Sequence, residues 1–152
     1  MNPRIGVIGP SQTTPEVLSD AEIVGAEIAR RGAILICGGL GGVMEAAARG
    51  AKSAGGLTVG ILPGIDPNDA NRHIDIPIAT GMGEARNVLV VRASDGLIAI
   101  AGGFGTLSEI GFALQTGKPL VGLNTWKLDA PIFRAQTPTD AVAMVFELLR
   151  HE

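Results

Sequence analysis

Three turns rich in glycine each follow a short apolar run: Gly9-Pro10-Ser11, CGGLGG at Cys37 to Gly42, and AGGFGT at Ala101 to Thr106. Glycine tolerates positive φ and lets backbone N–H groups close on an oxyanion with no Cβ in the way. Where such a turn leads from a strand into a helix, the unpaired N–H groups and the helix dipole favour an anion by about 0.3–1 kcal/mol per charge, and up to ~2 when sheltered. Gly9, Ser11, Gly38, Gly39, Gly41, Gly42, Gly102, Gly103, Gly105 and Thr106 are therefore candidate phosphate-binding residues. Either CGGLGG or AGGFGT alone is equally well read as a tight strand-to-helix connection; the two together favour binding. The pattern is not the dinucleotide fingerprint, because CGGLGG lacks the G-x-G-x-x-G spacing and no acidic residue ends the next strand. The chain has no G-x-x-x-x-G-K-[ST] either, which disfavours an ordinary NTPase.

Thr106 and Glu109 are three residues apart at the expected start of a helix, so both side chains share the face toward the strand end. Two roles fit that spacing: a catalytic carboxylate at Glu109, or a capping box in which Thr106 caps the helix and Glu109 reaches back. Arg86 follows the turn Thr80 to Gly83 and suits either an anion or a solvated surface. Cys37 reads as a small buried hydrophobe, since no cysteine–histidine partnership is visible. His73 and His151 stand apart without ligand spacing, so no metal site is expected. Lys52 and Lys118 carry no sign of Schiff-base chemistry.

These residues need strands and helices to position them. Arg4 to Gly9, Ala33 to Cys37, Leu57 to Leu62, Gly96 to Ala101 and Lys118 to Leu123 are apolar runs that fit buried parallel strands, with a short strand at Ile76 to Thr80. Thr14-Pro15 is a cap followed by proline in the first turn, and Val17, Ala21, Val24 and Ile28 recur at helical spacing until Gly32. Small residues at Ala47, Ala48 and Ala51 predict a second helix lying close on the sheet. Further helices are expected at Glu84 to Ala93, after GGFGT, and from Pro138 with Thr137 as its cap. Pro63 to Asp75 is expected to be a polar loop, and the stretch Pro63 to Pro77 to border the ligand. Alternation of this kind predicts an α/β, Rossmann-like fold, a parallel sheet with helices on both faces.

The chain has 152 residues, the usual size of one domain, and residues 1–152 are read as a single ligand-binding domain burying roughly two thirds of the unfolded surface. With 22 glycines, no tyrosine, one tryptophan and four phenylalanines, the core must be built from Ile, Val, Leu and Ala. A net charge of -3 without long runs of one sign gives no footprint for nucleic acid. No secretory signal and no apolar run of about 18 residues is present, so the expectation is a cytoplasmic protein without a membrane partner.

GGLGGVMEAAARGA at Gly38 to Ala51, the Arg86-Asn87 pair and GGFGTLSE at Gly102 to Glu109 together resemble the LONELY GUY superfamily, over about Ile5 to Leu123. That superfamily holds nucleoside 5′-monophosphate phosphoribohydrolases, with a P-G-G-x-G-T-x-x-E motif and an R-K pair, and molybdenum cofactor carrier proteins. Some short bacterial members were once labelled lysine decarboxylases, a label the residues here do not support. The resemblance implies that Gly102, Gly103, Gly105 and Thr106 cradle a phosphate. It also implies that Glu109 is the catalytic carboxylate and Arg86 its partner if the chain is an enzyme. Ala101 stands where the hydrolases carry proline, Asn87 where they carry lysine, and Met82-x-x-x-Arg86 is one residue longer than their M-x-x-R. These departures favour the carrier branch. The expected function is thus a binding or carrier protein for a phosphorylated small molecule, best the molybdenum cofactor, with phosphoribohydrolase as the alternative and a nucleotide sensor as a third. No required cofactor is expected, the molybdenum cofactor being a carried ligand, and a homo-oligomer, dimer or tetramer, is implied.

Overall fold

The structure, a computed structural model, describes residues 1–151. The first strand, β1 (Arg4–Ile8), leads into helix α1 (Pro15–Arg30), whose N-cap Thr14 accepts a hydrogen bond from the Val17 N–H while Pro15 opens the first turn. Strand β2 (Ile34–Cys37), helix α2 (Val43–Ser53) and strand β3 (Thr58–Leu62) follow. Beyond β4 (Ile76–Ala79) come α3 (Asn87–Ala93), β5 (Gly96–Ile100), α4 (Phe104–Thr116), β6 (Leu120–Leu123), β7 (Phe133–Ala135) and α5 (Pro138–Arg150). Thr137 caps α5 by accepting from the Asp140 N–H.

The seven strands form one parallel sheet in the order β4-β3-β2-β1-β5-β6-β7. Runs such as GLIAI in β5 are buried along their whole length, as a strand covered on both faces must be. One apolar layer joins Val24 and Ile28 of α1, Ala47 of α2 and Val142 and Val145 of α5 to Ile5, Val7 and Leu35. The other joins Val90 and Val91 of α3 and Ile110 and Ala113 of α4 to Ile8, Ile36 and Leu97. This is the Rossmann-like α/β architecture that the alternating pattern predicts.

Three local details differ from that pattern. Strand β7 has only three residues, two of them exposed, so the sheet edge it forms leaves no apolar run to read. The helix expected over Glu84 to Ala93 is split into a 3-10 turn, Gly83–Arg86, and α3. The small residues of α2 meet another helix most closely: a Cβ on Gly50 would lie 1.9 Å from Glu22 O, and one on Gly25 1.9 Å from Ala47 O, both backbone atoms across the α1–α2 contact. That contact, rather than the sheet alone, demands the small side chains.

Candidate functional site

The strand order reverses at β1, which lies between β2 and β5, and the chain then builds outward in both directions. The crevice beyond the carboxyl ends at such a switch point is where open α/β sheets take ligands. Here it holds a cavity of about 420 Å³, within the usual range for small-molecule sites. Gly9 and Ser11 after β1, Gly38 after β2, and Gly103, Gly105, Thr106 and Glu109 at α4 all line it, as do Arg86 and Asn87.

Gly39, Gly41, Gly42 and Gly102 do not line the cavity; three of them shape its turns. Gly39 has φ 78°, and its carbonyl accepts from the Asn71 backbone N–H at 2.9 Å. Gly42, at φ 65°, opens α2 where a Cβ would lie 2.4 Å from Pro10 O and Ser11 O. Gly102 leaves room for Trp126, whose Nε1 would lie 2.6 Å from a Cβ there.

The start of α4 bears on one of the two roles open to Thr106 and Glu109, the capping box. Gly103 is the N-cap, the helix begins at Phe104, and no side chain caps it. Thr106 is thus inside the first turn and Glu109 in the second, which overturns the capping-box alternative. The first N–H groups of α4 have no intrahelical acceptor. Thr106 is 2% exposed, and its Oγ1 is buried without a hydrogen-bond partner among the described residues. A buried hydroxyl left unpaired costs about 1–3 kcal/mol, a cost that an ordered water or a ligand atom at this point of the cavity wall would offset. Burial pushes the Glu109 carboxyl up to about 8, against the opposing pull of the Arg86 charge, so it is mainly neutral at pH 7.

Arg86, itself buried, donates from Nε to Ile61 O at 2.8 Å, from one terminal nitrogen to Asn87 Oδ1, and from the other to Gly38 O at 3.4 Å. The guanidinium therefore clasps the ends of β2 and β3 and forms a wall of the cavity with each of its three nitrogens bonded once, which leaves one N–H on each terminal nitrogen for a ligand. Burial lowers its pKa, and the Glu109 charge opposes that. Asn87 Nδ2 in turn donates to Ser108 Oγ at 3.1 Å, and Ser108 Oγ to Gly105 O at 2.7 Å, tying Arg86 to the α4 turn. The sequence reading treated Asn87 only as a missing lysine; this link gives it a structural part.

Ala101 adopts φ 54°, a left-handed conformation. Proline's ring holds φ near -65°, so the turn cannot have this shape with the proline of the resembling hydrolases. Cys37 is fully buried, and burial drives its thiol up to about 11, which suits packing and not nucleophilic attack. His151 pairs with Glu147 on α5, 3.0 Å away, and His73 lies in the loop before β4. No cluster of three or more metal-binding side chains occurs among the described residues. The sequence reading missed the wall formed by Phe104 and the Trp126 ring behind it, although Phe104 stands inside the GGFGT turn.

Fold and cavity together define a Rossmann-like α/β protein with its cleft at the switch point of a parallel sheet. A model of the SLOG cluster4 family matches residues 2–148, and the chain belongs to that family. It is similar to the molybdenum cofactor binding protein of Rippkaea orientalis, with 38% identity, a TM-score of 0.93 and 98% of each chain covered. The molybdenum cofactor carrier protein of Chlamydomonas reinhardtii is 39% identical, with a TM-score of 0.90 and 99% of each chain covered. A cytokinin riboside 5′-monophosphate phosphoribohydrolase of Mycobacterium tuberculosis is 37% identical over 126 residues, 76% of this chain and 67% of that protein. No helix among the described residues is long and apolar enough to cross a membrane.

Proposed function

We propose that this chain binds and carries a phosphorylated small molecule, with the molybdenum cofactor as the best candidate. The observation that carries the reading is the unpaired Thr106 hydroxyl, buried in the cavity wall at an uncapped helix N-terminus. A phosphate there accepts from the hydroxyl and from the first N–H groups of α4, and gains from the helix dipole. Gly103 and Gly105 keep the approach uncrowded: a Cβ on either would meet nothing nearer than 3.9 Å, no closer than ordinary van der Waals contact. The cofactor's terminal phosphate suits this cradle, and the similarity to carrier proteins across nearly the whole chain supports it.

The second reading, phosphoribohydrolase, is favoured by the carboxyl of Glu109 in the cavity beside Arg86. In that chemistry the carboxylate steadies positive charge developing on the ribose and helps activate water. Glu109 is poorly prepared for it, because a neutral carboxyl carries no charge to offer, and Arg86 is held in place by Ile61, Gly38 and Asn87. Incubation with AMP and assay of free adenine separates the two. The carrier reading expects no adenine above background; release abolished by Glu109→Gln would establish the hydrolase. We further read the chain as a single unit that works in the cytoplasm as a homo-oligomer; sedimentation of the purified protein tests the oligomer.

A further inference from the structure

The proposed phosphate cradle uses the Thr106 hydroxyl and the backbone N–H groups of the α4 turn and leaves the turn's most conspicuous side chain without a task. Phe104, the first residue of α4, lines the cavity and is 84% exposed. A phenyl ring so exposed forgoes most of the free energy its burial would bring. It is not loose on the surface, however. Its ring lies 6.1 Å from that of Trp126 at an interplanar angle of 30°, an offset stack. Trp126 is held in turn by a hydrogen bond from Nε1 to Gly103 O at 3.1 Å, and it packs over Gly102, where a Cβ would come within 2.6 Å of Nε1. The glycine turn thus does two jobs: Gly103 and Gly105 open the cradle, while Gly102 and the Gly103 carbonyl seat the ring that backs Phe104.

We infer that Phe104, backed by Trp126, is a stacking shelf for a planar heteroaromatic ring belonging to the ligand whose phosphate sits at the start of α4. The inference rests on the proposed phosphate cradle and deepens it. Phe104 stands between Gly103 and Gly105, about 3.8 Å along the chain from each, so shelf and cradle are within reach of one small molecule. Stacking reads the π-face and tolerates many rings. The shelf therefore sets the ligand class, a phosphate joined through a short linker to a purine, pterin or similar heterocycle, and excludes plain sugar phosphates as the preferred cargo.

Calorimetric titration with two probes, AMP and ribose 5-phosphate, tests it on wild type, Phe104→Leu and Phe104→Trp. The exposed position lets both variants fold, and Trp126, the chain's single tryptophan, reports ring binding through its fluorescence. Wild type is expected to prefer AMP, and Phe104→Leu to weaken AMP by about ten- to a hundredfold while ribose 5-phosphate changes less than about twofold. Phe104→Trp should keep AMP affinity, and AMP should perturb Trp126 emission where ribose 5-phosphate does not. Equal losses for both probes would mean that Phe104 only shapes the cradle, and no loss for either would mean that the ring lies elsewhere; each overturns the shelf. A wild type that binds both probes equally overturns the shelf and leaves the cradle standing. Binding of neither overturns the shelf as a general stacking surface, while the cradle stands or falls on titration with the molybdenum cofactor.

Discussion

Thr106 and Glu109 share one face of α4, and burial acts on them differently: it leaves the hydroxyl without a partner and holds the carboxyl in its neutral form. Because Glu109 titrates near 8 when folded and near 4.5 when unfolded, the folded state binds its proton more tightly. Stability from this group is present below about pH 4.5 and is lost as pH rises through about 8. Thermal melts of wild type and Glu109→Gln should therefore converge near pH 4 and separate by about pH 9, with the variant the more stable by a few kcal/mol at most. A constant difference across that range would show that the carboxyl is not held neutral. Ala101 gives a second test, since its left-handed φ costs about 1 kcal/mol that glycine does not incur. Ala101→Gly should raise Tm slightly and Ala101→Pro should lower it by well over that amount, a ranking that calorimetry reads directly. The T-x-x-E spacing was visible in the sequence, but its meaning was not. A capping threonine and one buried in the first turn look alike until Gly103 is known to be the cap.

The turns that carry the site were legible as turns because glycine clusters follow apolar runs, yet their division of labour depends on atoms from distant segments. Gly42 is needed against Pro10 and Ser11, Gly102 against Trp126, and Gly39 against Leu62, none of which the local sequence reveals. The short edge strand β7 and the break before α3 stayed hidden for a similar reason: neither has a periodic apolar pattern. Helix packing offers a matched prediction. Gly25→Ala would push a Cβ to 1.9 Å from Ala47 O and force α1 and α2 apart, at about 1–3 kcal/mol or more. Gly111→Ala on α4 meets nothing within 4 Å and should be neutral or stabilising by about 0.5–1 kcal/mol. Similar melting shifts for the two would contradict the close backbone contact between α1 and α2.

The parallel sheet with helices on both faces was readable from the alternation of elements, whereas the strand order was not, because it is set by which crossovers pack together. That order brings the ends of β1, β2 and β5 to one crevice. The same arrangement makes Arg86 a clasp between the ends of β2 and β3, so the resemblance to hydrolases supplies the residue while the fold of this chain sets its task. The proposed reading, binding without cleavage, rests on three features together: the unpaired Thr106 hydroxyl in the cavity wall, a Glu109 carboxyl held mainly neutral, and an Arg86 that already bonds to Ile61, Gly38 and Asn87. The most direct test is calorimetric titration of wild type and Gly103→Leu with the molybdenum cofactor, alongside thermal melts. Gly103 has an ordinary extended backbone, and its nearest neighbour to an added Cβ is Pro10 at 4.0 Å, so the variant can fold while its side chain fills the cradle. Saturable binding by wild type, lost in a Gly103→Leu protein whose Tm moves by no more than a few degrees, is the predicted result. Equal affinity in the folded variant would place the ligand elsewhere and contradict the account.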